Sequence, residues 1–118
     1  MLLWQGPVSG TTAPVNPQVV YVANSSTPEI GLTNAYGTHT TTISVAAAGG
    51  VVSPVLAPNG TEVAFISNCD LYTVSIDGSN LTELPKAAGE GRLAQPAWSP
   101  SSEQLAFDST VSGPTTNL

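Results

Sequence analysis

The sequence predicts an all-β fold made of antiparallel four-stranded units repeated along the chain, and three observations carry that expectation. The first is an internal echo. Ser53 to Ser67 reads SPVLAPNGTEVAFIS and Gln95 to Ser109 reads QPAWSPSSEQLAFDS, so that Pro54, Leu56, Pro58, Ala64, Phe65 and Ser67 are followed 42 positions later by Pro96, Trp98, Pro100, Ala106, Phe107 and Ser109. The second is the recurrence of turn chemistry between short apolar runs, at Asn34-Ala35-Tyr36-Gly37, Ala57-Pro58-Asn59-Gly60 and Asp77-Gly78. The third is the lack of any stretch with sustained helical periodicity.

Taken in order, residues Met1 to Pro17 are rich in Gly, Pro, Ser and Thr, and Pro7, Pro14 and Pro17 block helix and central-strand pairing. Within them Leu2-Leu3-Trp4 is long enough for one short strand. Gln18 to Ala23 is the first clear strand, bounded by Pro17 and by the loop from Asn24 to Pro28. Glu29 to Ala35 is a weaker strand that runs into a turn where Gly37 supplies positive φ. The strand from Thr38 to Val45 is rich in threonine, which suits an exposed or edge position. Ala46 to Gly50 then breaks the pattern.

Val51 to Leu56 is a strand stopped by the Pro58-Asn59-Gly60 turn. Thr61 to Ser67 follows, with Val63 and Phe65 directed one way and Ala64 and Ile66 the other, so both faces are expected to be buried between two further layers. Leu71 to Ile76 places Tyr72, Val74 and Ile76 on one face, and Asp77-Gly78 turns the chain into a return strand from Leu81 to Leu84. Pro85 to Gly91 reads as a loop, Gln95 to Ser99 and Gln104 to Ser109 complete the echo, and 111–118 reads as a tail.

Composition narrows the function classes. The 118 residues suffice for one domain or part of one. Lys86 and Arg92 are the only Lys or Arg residues against eight carboxylates, a formal net charge of -6, which leaves too few cations to neutralise a nucleic-acid backbone or to dock on an anionic membrane through a basic patch. One cysteine, Cys69, and one histidine, His39, do not make a zinc site, and Cys69 has no intrachain disulfide partner. Met1-Leu2-Leu3-Trp4 lacks a basic flank and a long apolar core, so it does not read as a secretory signal, and the apolar run Ile43 to Val52 is half the length of a membrane-spanning helix.

The echo extends upstream, since Tyr21 precedes Phe65 by 44 positions, Gly37 precedes Gly78 by 41 and Ile43 precedes Leu84 by 41. A period of about 40 to 45 residues with four short strands per unit points to β-propeller blades. The run Gln95-Pro96-Ala97-Trp98-Ser99-Pro100 with Leu105-Ala106-Phe107, and in the middle unit Ala57-Pro58-Asn59-Gly60, Val63-Ala64-Phe65, Leu71-Tyr72, Asp77-Gly78 and Leu81-Thr82, resembles the TolB-like repeat of the WD-repeat-like propellers. Ala57, Leu56 and Ser101-Ser102 depart from its pattern, and the last puts a tight turn there in doubt. The resemblance covers about Gln18 to Thr110, and it divides the chain into an N-terminal segment 1–17, a partial first blade 18–50, a second blade 51–92, the start of a third 93–110 and the tail 111–118.

That resemblance implies a non-catalytic protein-interaction scaffold of an exported protein, periplasmic or extracellular, binding through loops at one end of the blades. It leaves two alternatives: the propeller portion of a prolyl-oligopeptidase-like serine peptidase whose catalytic residues lie outside this chain, and a β protein that self-assembles through open blade faces or strand edges. A closed ring of four to eight blades at this period needs on the order of 170 to 340 residues, so the chain is expected to be a piece of a longer protein, to complete its ring or stack with further copies, or to be another all-β sandwich whose internal duplication only mimics blades.

No residue is assigned a catalytic, cofactor-binding or metal-ligating role. Gly89-Glu90-Gly91-Arg92-Leu93-Ala94 fits G-x-G-x-x-A, but the prolines at 85 and 96 argue for a loop rather than the strand-to-helix turn that a dinucleotide needs. His39 reads as a solvent-facing strand histidine. Cys69 adjoins Asp70, whose charge disfavours a thiolate. Asp70, Asp77 and Glu83 lack the spacing of a calcium loop, and Asp77 reads as hairpin chemistry. Asn24, Asn59 and Asn80 each begin an N-x-S/T triplet at an expected turn.

Overall fold

Nine β-strands and one turn of 3-10 helix are formed by the residues that the computed structural model describes, 18–23, 26–86 and 89–111. The candidate strand at Leu2-Leu3-Trp4, the first two residues of the triplet at Asn24 and most of the expected tail lie outside them. Strands β1 (Gln18–Ala23), β2 (Glu29–Asn34) and β3 (Thr40–Ser44) form the first sheet. The second contains β4 (Val52–Leu56), β5 (Glu62–Ser67), β6 (Asp70–Ser75) and β7 (Thr82–Glu83). The third consists of β8 (Glu90–Trp98) and β9 (Leu105–Val111). Every pairing is antiparallel and joins strands consecutive in sequence, and no α-helix occurs among the described residues, so the fold is all-β.

Local chemistry explains the turns. At β2–β3 the Gly37 N–H donates to the Asn34 carbonyl at 3.0 Å, and at β6–β7 the Gly78 N–H donates to the Ser75 carbonyl at 2.8 Å. Both glycines take positive φ, +73° and +89°, which a residue with a Cβ adopts only at a cost. Side chains close the same turns: the Asn34 Oδ1 accepts from the N–H groups of Tyr36 and Thr38, and the Asp77 Oδ1 accepts from the N–H and hydroxyl of Ser79.

The echo holds at the level of individual backbone bonds. In the β4–β5 turn the Ala57 N–H donates to the Glu62 carbonyl and the Gly60 N–H to the Ala57 carbonyl, both at 2.8 Å. In the β8–β9 turn the Ser99 N–H donates to the Gln104 carbonyl at 2.8 Å and the Ser102 N–H to the Ser99 carbonyl at 2.9 Å, the same bonds 42 residues on. Ser101-Ser102 therefore does make a tight turn. Ser102 adopts φ +64°, close to the +76° of Gly60, and its hydroxyl oxygen accepts a hydrogen bond from the Asn59 N–H at 2.9 Å. A bulge also repeats, between Val52 and Val55 and again between Ala94 and Ala97, with Ser53 and Gln95 both at φ +52°. Each bulge carries the echoed proline, Pro54 or Pro96, at a point where the pairing is already interrupted.

Two cores lie on either side of the second sheet. Ile30, Leu32, Ile43, Val45, Ala48, Val51, Val63, Phe65 and Val74 form the first, with Val20, Leu56, Tyr72 and Leu81 packed against it. Ala64, Ile66, Leu71 and Leu93 form the other, joined by Val55, Leu84, Trp98 and Leu105. Strand β5 thus supplies Val63 and Phe65 to one and Ala64 and Ile66 to the other, and all four are buried, as the alternating pattern requires. Phe65 stacks on its cross-strand partner Tyr72 with ring centroids 5.5 Å apart and planes 15° from parallel.

Several expectations are corrected. Pro85 to Gly91 is not all loop, because β8 begins at Glu90, drawn into the fold by the burial of Leu93 in the second core. This strand starts three residues ahead of the boundary expected at 93, and β9 runs on through Val111 rather than ending at 110. Ile76 does not share a strand face with Tyr72 and Val74: it lies in the turn, 38% exposed, because the Asp77 hairpin already begins there. The return strand shrinks to Thr82–Glu83, although the Leu84 N–H still bonds to the Leu71 carbonyl at 2.8 Å.

Candidate functional site

Antiparallel order places the turns of the second sheet alternately at two ends, and those ends differ in chemistry. The first end gathers the turns at 57–61, 76–80 and 99–104. The Asn59 N–H to Ser102 hydroxyl bond ties the first of these to the third, and the Ile76 N–H bond to the Thr61 carbonyl, 3.0 Å, ties it to the second. Its polar side chains are mostly neutral hydrogen-bonding groups, joined by the carboxylates of Asp77 and the exposed Glu103: Asn59 accepts from both the N–H and the hydroxyl of Thr61, and Asn80 Nδ2 donates to the hydroxyls of Ser75 and Ser79. The Ser79 hydroxyl and N–H, both donating to Asp77, hold that carboxyl below its ordinary range. Asp77 is therefore occupied as a turn acceptor. Asn59 and Asn80 are exposed here, as their triplets suggested.

The opposite end carries both cations. Between β5 and β6, Asn68 and Cys69 take φ +51° and +70°, a two-residue turn with left-handed backbone at both central positions. Lys86 forms an ion pair with Asp70, and the Arg92 Nε–H donates to Cys69 Sγ at 3.1 Å. This revises the expected setting of Cys69. The adjacent carboxylate is already paired, and the group that faces the sulfur is a guanidinium brought across from the third sheet. Ser67, fully buried, donates its hydroxyl to the Ala48 carbonyl and so anchors this turn to the end of the first sheet.

The remaining candidates are placed as follows. His39 sits in the bend before β3 rather than within a strand, exposed, with Nδ1 3.1 Å from Asn34 Nδ2 and 3.2 Å from the Thr38 hydroxyl, so its ring takes part in the Asn34 turn. Gly89 to Ala94 enters a strand, not a helix, and so presents no helix N-terminus to a phosphate. Asp70 and Asp77 lie at opposite ends of β6, and Glu83 sits across from Tyr72 on β7. Burial, reinforced by Glu83, raises the Tyr72 phenol above its ordinary value. Among the described residues no three His, Cys, Asp or Glu side chains are placed to hold a metal ion.

Comparison with protein-family models, curated proteins and solved structures finds no match. The site is therefore read from its own geometry. Two sheet faces lack a covering layer among the described residues. On the first sheet, Val19 and Tyr21 are 49% and 37% exposed, the Tyr21 ring lies over Gly31, and the Thr40 hydroxyl donates to that of Thr33 at 3.3 Å. On the third sheet Ala97 and Ala106, directly paired, are exposed and floor a shallow groove. Sequence reasoning did not find this groove, nor the Arg92–Cys69 contact, because both depend on residues from different sheets or strands meeting in space. The signal that was available for the groove is the period itself.

Proposed function

We propose that the chain is a run of TolB-like β-propeller blades, one partial, one complete and one begun, serving as a non-catalytic protein-interaction scaffold of an exported protein. The observation that carries this reading is the recurrence, 42 residues apart, of a bulge, a proline, a turn and its hydrogen bonds in β4–β5 and β8–β9. Sheets of three, four and two strands, stacked so that the middle one is buried on both sides, support it. Recognition falls to the end made by the turns at 57–61, 76–80 and 99–104. Its exposed amides and hydroxyls, with the carboxylates of Asp77 and Glu103 among them, suit a polar protein surface.

The test is the coding sequence on either side of this chain together with direct binding. Further units at a 42-residue period support the blade reading; flanks free of any such unit overturn it. A hydrolase domain carrying a G-x-S-x-G elbow downstream would instead make the chain the propeller portion of a serine peptidase.

A further inference from the structure

We infer that the outer face of the third sheet is a socket for a tryptophan side chain, presented by a further sheet of the same 42-residue kind; the inference rests on the repeat reading above. The template is the contact between the second and third sheets. There Trp98 packs into the core formed with Ala64, Ile66, Leu71 and Leu93, and its Nε1–H donates to the Val55 carbonyl at 3.1 Å. One turn away, the Asn59 N–H donates to the hydroxyl of Ser102, four residues beyond the tryptophan.

Of the second-sheet residues that share a core with Trp98, Val55, Ala64 and Ile66 advance by 42 positions to Ala97, Ala106 and Asp108; on the same two strands Leu56 and Val63, which face the first core, advance to Trp98 and Leu105, and the turn-flanking Ala57 and Glu62 to Ser99 and Gln104, so that Ala97, Trp98, Ser99, Gln104, Leu105 and Ala106 make the equivalent hairpin. Those six residues line the groove on the third sheet. Its backbone repeats as well: Ala97 pairs with Ala106 as Val55 pairs with Ala64, each just after an equivalent bulge. The groove therefore presents the Ala97 carbonyl where the Val55 carbonyl receives an indole N–H, and the Ser101 N–H where the Asn59 N–H meets a hydroxyl.

Side-chain chemistry selects the same ligand. None of the six lining residues is ionisable; the carboxylate on this face belongs to Asp108, two residues along β9 from Ala106 and at the repeat position of Ile66, where it borders the groove rather than lining it. The floor is two methyl groups, with Ala97 in place of the larger Val55, which leaves more depth for a flat aromatic body. An indole has the required shape and carries a single donor. A hydroxyl four residues further along the incoming chain satisfies the second contact, so the occupant is a Trp-x-x-x-Ser strand and turn rather than a free indole.

The experiment extends the complete chain after Leu118 with a second copy of residues 77–111, which keeps the 42-residue spacing and places one new tryptophan opposite the groove. Indole N–H hydrogen exchange is measured for the new tryptophan and for Trp98, which serves as the internal reference. The expected result is exchange at the new indole slowed by at least about tenfold relative to a free indole, and restored to the free rate by Ala106→Arg, while Trp98 is protected in both proteins. A new indole that exchanges freely beside a protected Trp98 overturns the socket and leaves the repeat reading standing; an unprotected Trp98 overturns both. Sedimentation of the native 118-residue chain as an oligomer that Ala106→Arg dissociates would show that a second copy covers this face instead, and would also overturn the socket.

Discussion

Phe65 and Phe107 occupy the same position of the repeat but different surroundings, and truncating each to alanine separates architecture from sequence. Phe65 is fully buried in the first core and stacked on Tyr72. Removing its ring deletes that stacking and leaves a cavity between two sheets that are both held by other contacts, so Phe65→Ala should cost about 3 to 5 kcal/mol. Phe107 is 38% exposed. Full burial of a phenylalanine is worth about 1.5 to 3 kcal/mol, and with well over half of the side chain covered and no enclosed cavity left behind, Phe107→Ala should cost about 1 to 2 kcal/mol. Equilibrium urea unfolding, followed by both far-ultraviolet circular dichroism and tryptophan fluorescence, gives the two losses. Because a few kcal/mol is a large part of a small domain's stability, Phe65→Leu is the companion variant, expected to lose less than about 1.5 kcal/mol. Equal losses for the two alanine variants, or less than about 1 kcal/mol for Phe65→Ala, would refute the claim that the middle sheet is clamped from both sides.

Other outcomes follow from single contacts. Trp98→Phe keeps most of the apolar contact but removes the N–H that serves the Val55 carbonyl, and should lower stability by about 1 kcal/mol in the same urea titration. Cys69→Gly should raise it by about 0.5 to 1 kcal/mol, because the left-handed backbone at φ +70° suits glycine and outweighs the contact with Arg92. Asp77, with its folded-state pKa lowered by Ser79, contributes stability that is present above its unfolded value and is lost as pH falls through the folded one; Asp77→Asn should flatten that acid limb, measured as the urea midpoint against pH. Tyr72 works in the opposite direction: its raised pKa means that stability declines as pH climbs past the ordinary tyrosine range, and Tyr72→Phe should remove that decline.

What the sequence disclosed and what it withheld divide along the distance between partners. Asn34-Ala35-Tyr36-Gly37, Pro58-Asn59-Gly60 and Asp77-Gly78 each close within a few residues, so their turn chemistry stood in the sequence, and the two-faced burial of β5 could be read from four consecutive apolar side chains. The turn at Ser102 is hidden in the sequence because a serine gives no local sign of positive φ; its conformation is supported by the Asn59 N–H, 43 residues away. The start of β8 is hidden for a similar reason, since Gly89-Glu90-Gly91 looks like a loop until Leu93 is placed in the second core. For Cys69 the sequence offers only its neighbour Asp70, whereas the groups that define its surroundings, Lys86 and Arg92, arrive from later in the chain. Of the candidate interaction surfaces, the polar turns were visible residue by residue, but their gathering at one end depends on the pairing of strands.

The division of β5 between two cores also sets how its alignment is policed. In a sheet with one wet face, a slip of one residue turns apolar side chains toward water, and solvation corrects the error. Here a slip that moves each residue to the site of the one before it would trade Val63 and Phe65 for Ala64 and Ile66, leaving these four side chains still beside apolar layers. The penalty would come from volume: a phenyl ring driven into the space of a methyl group on one side, and a void opened beside Tyr72 on the other. Fidelity of pairing in the middle sheet is therefore a matter of size discrimination, and substitutions that even out the bulk of these four residues should loosen it before they cost much stability.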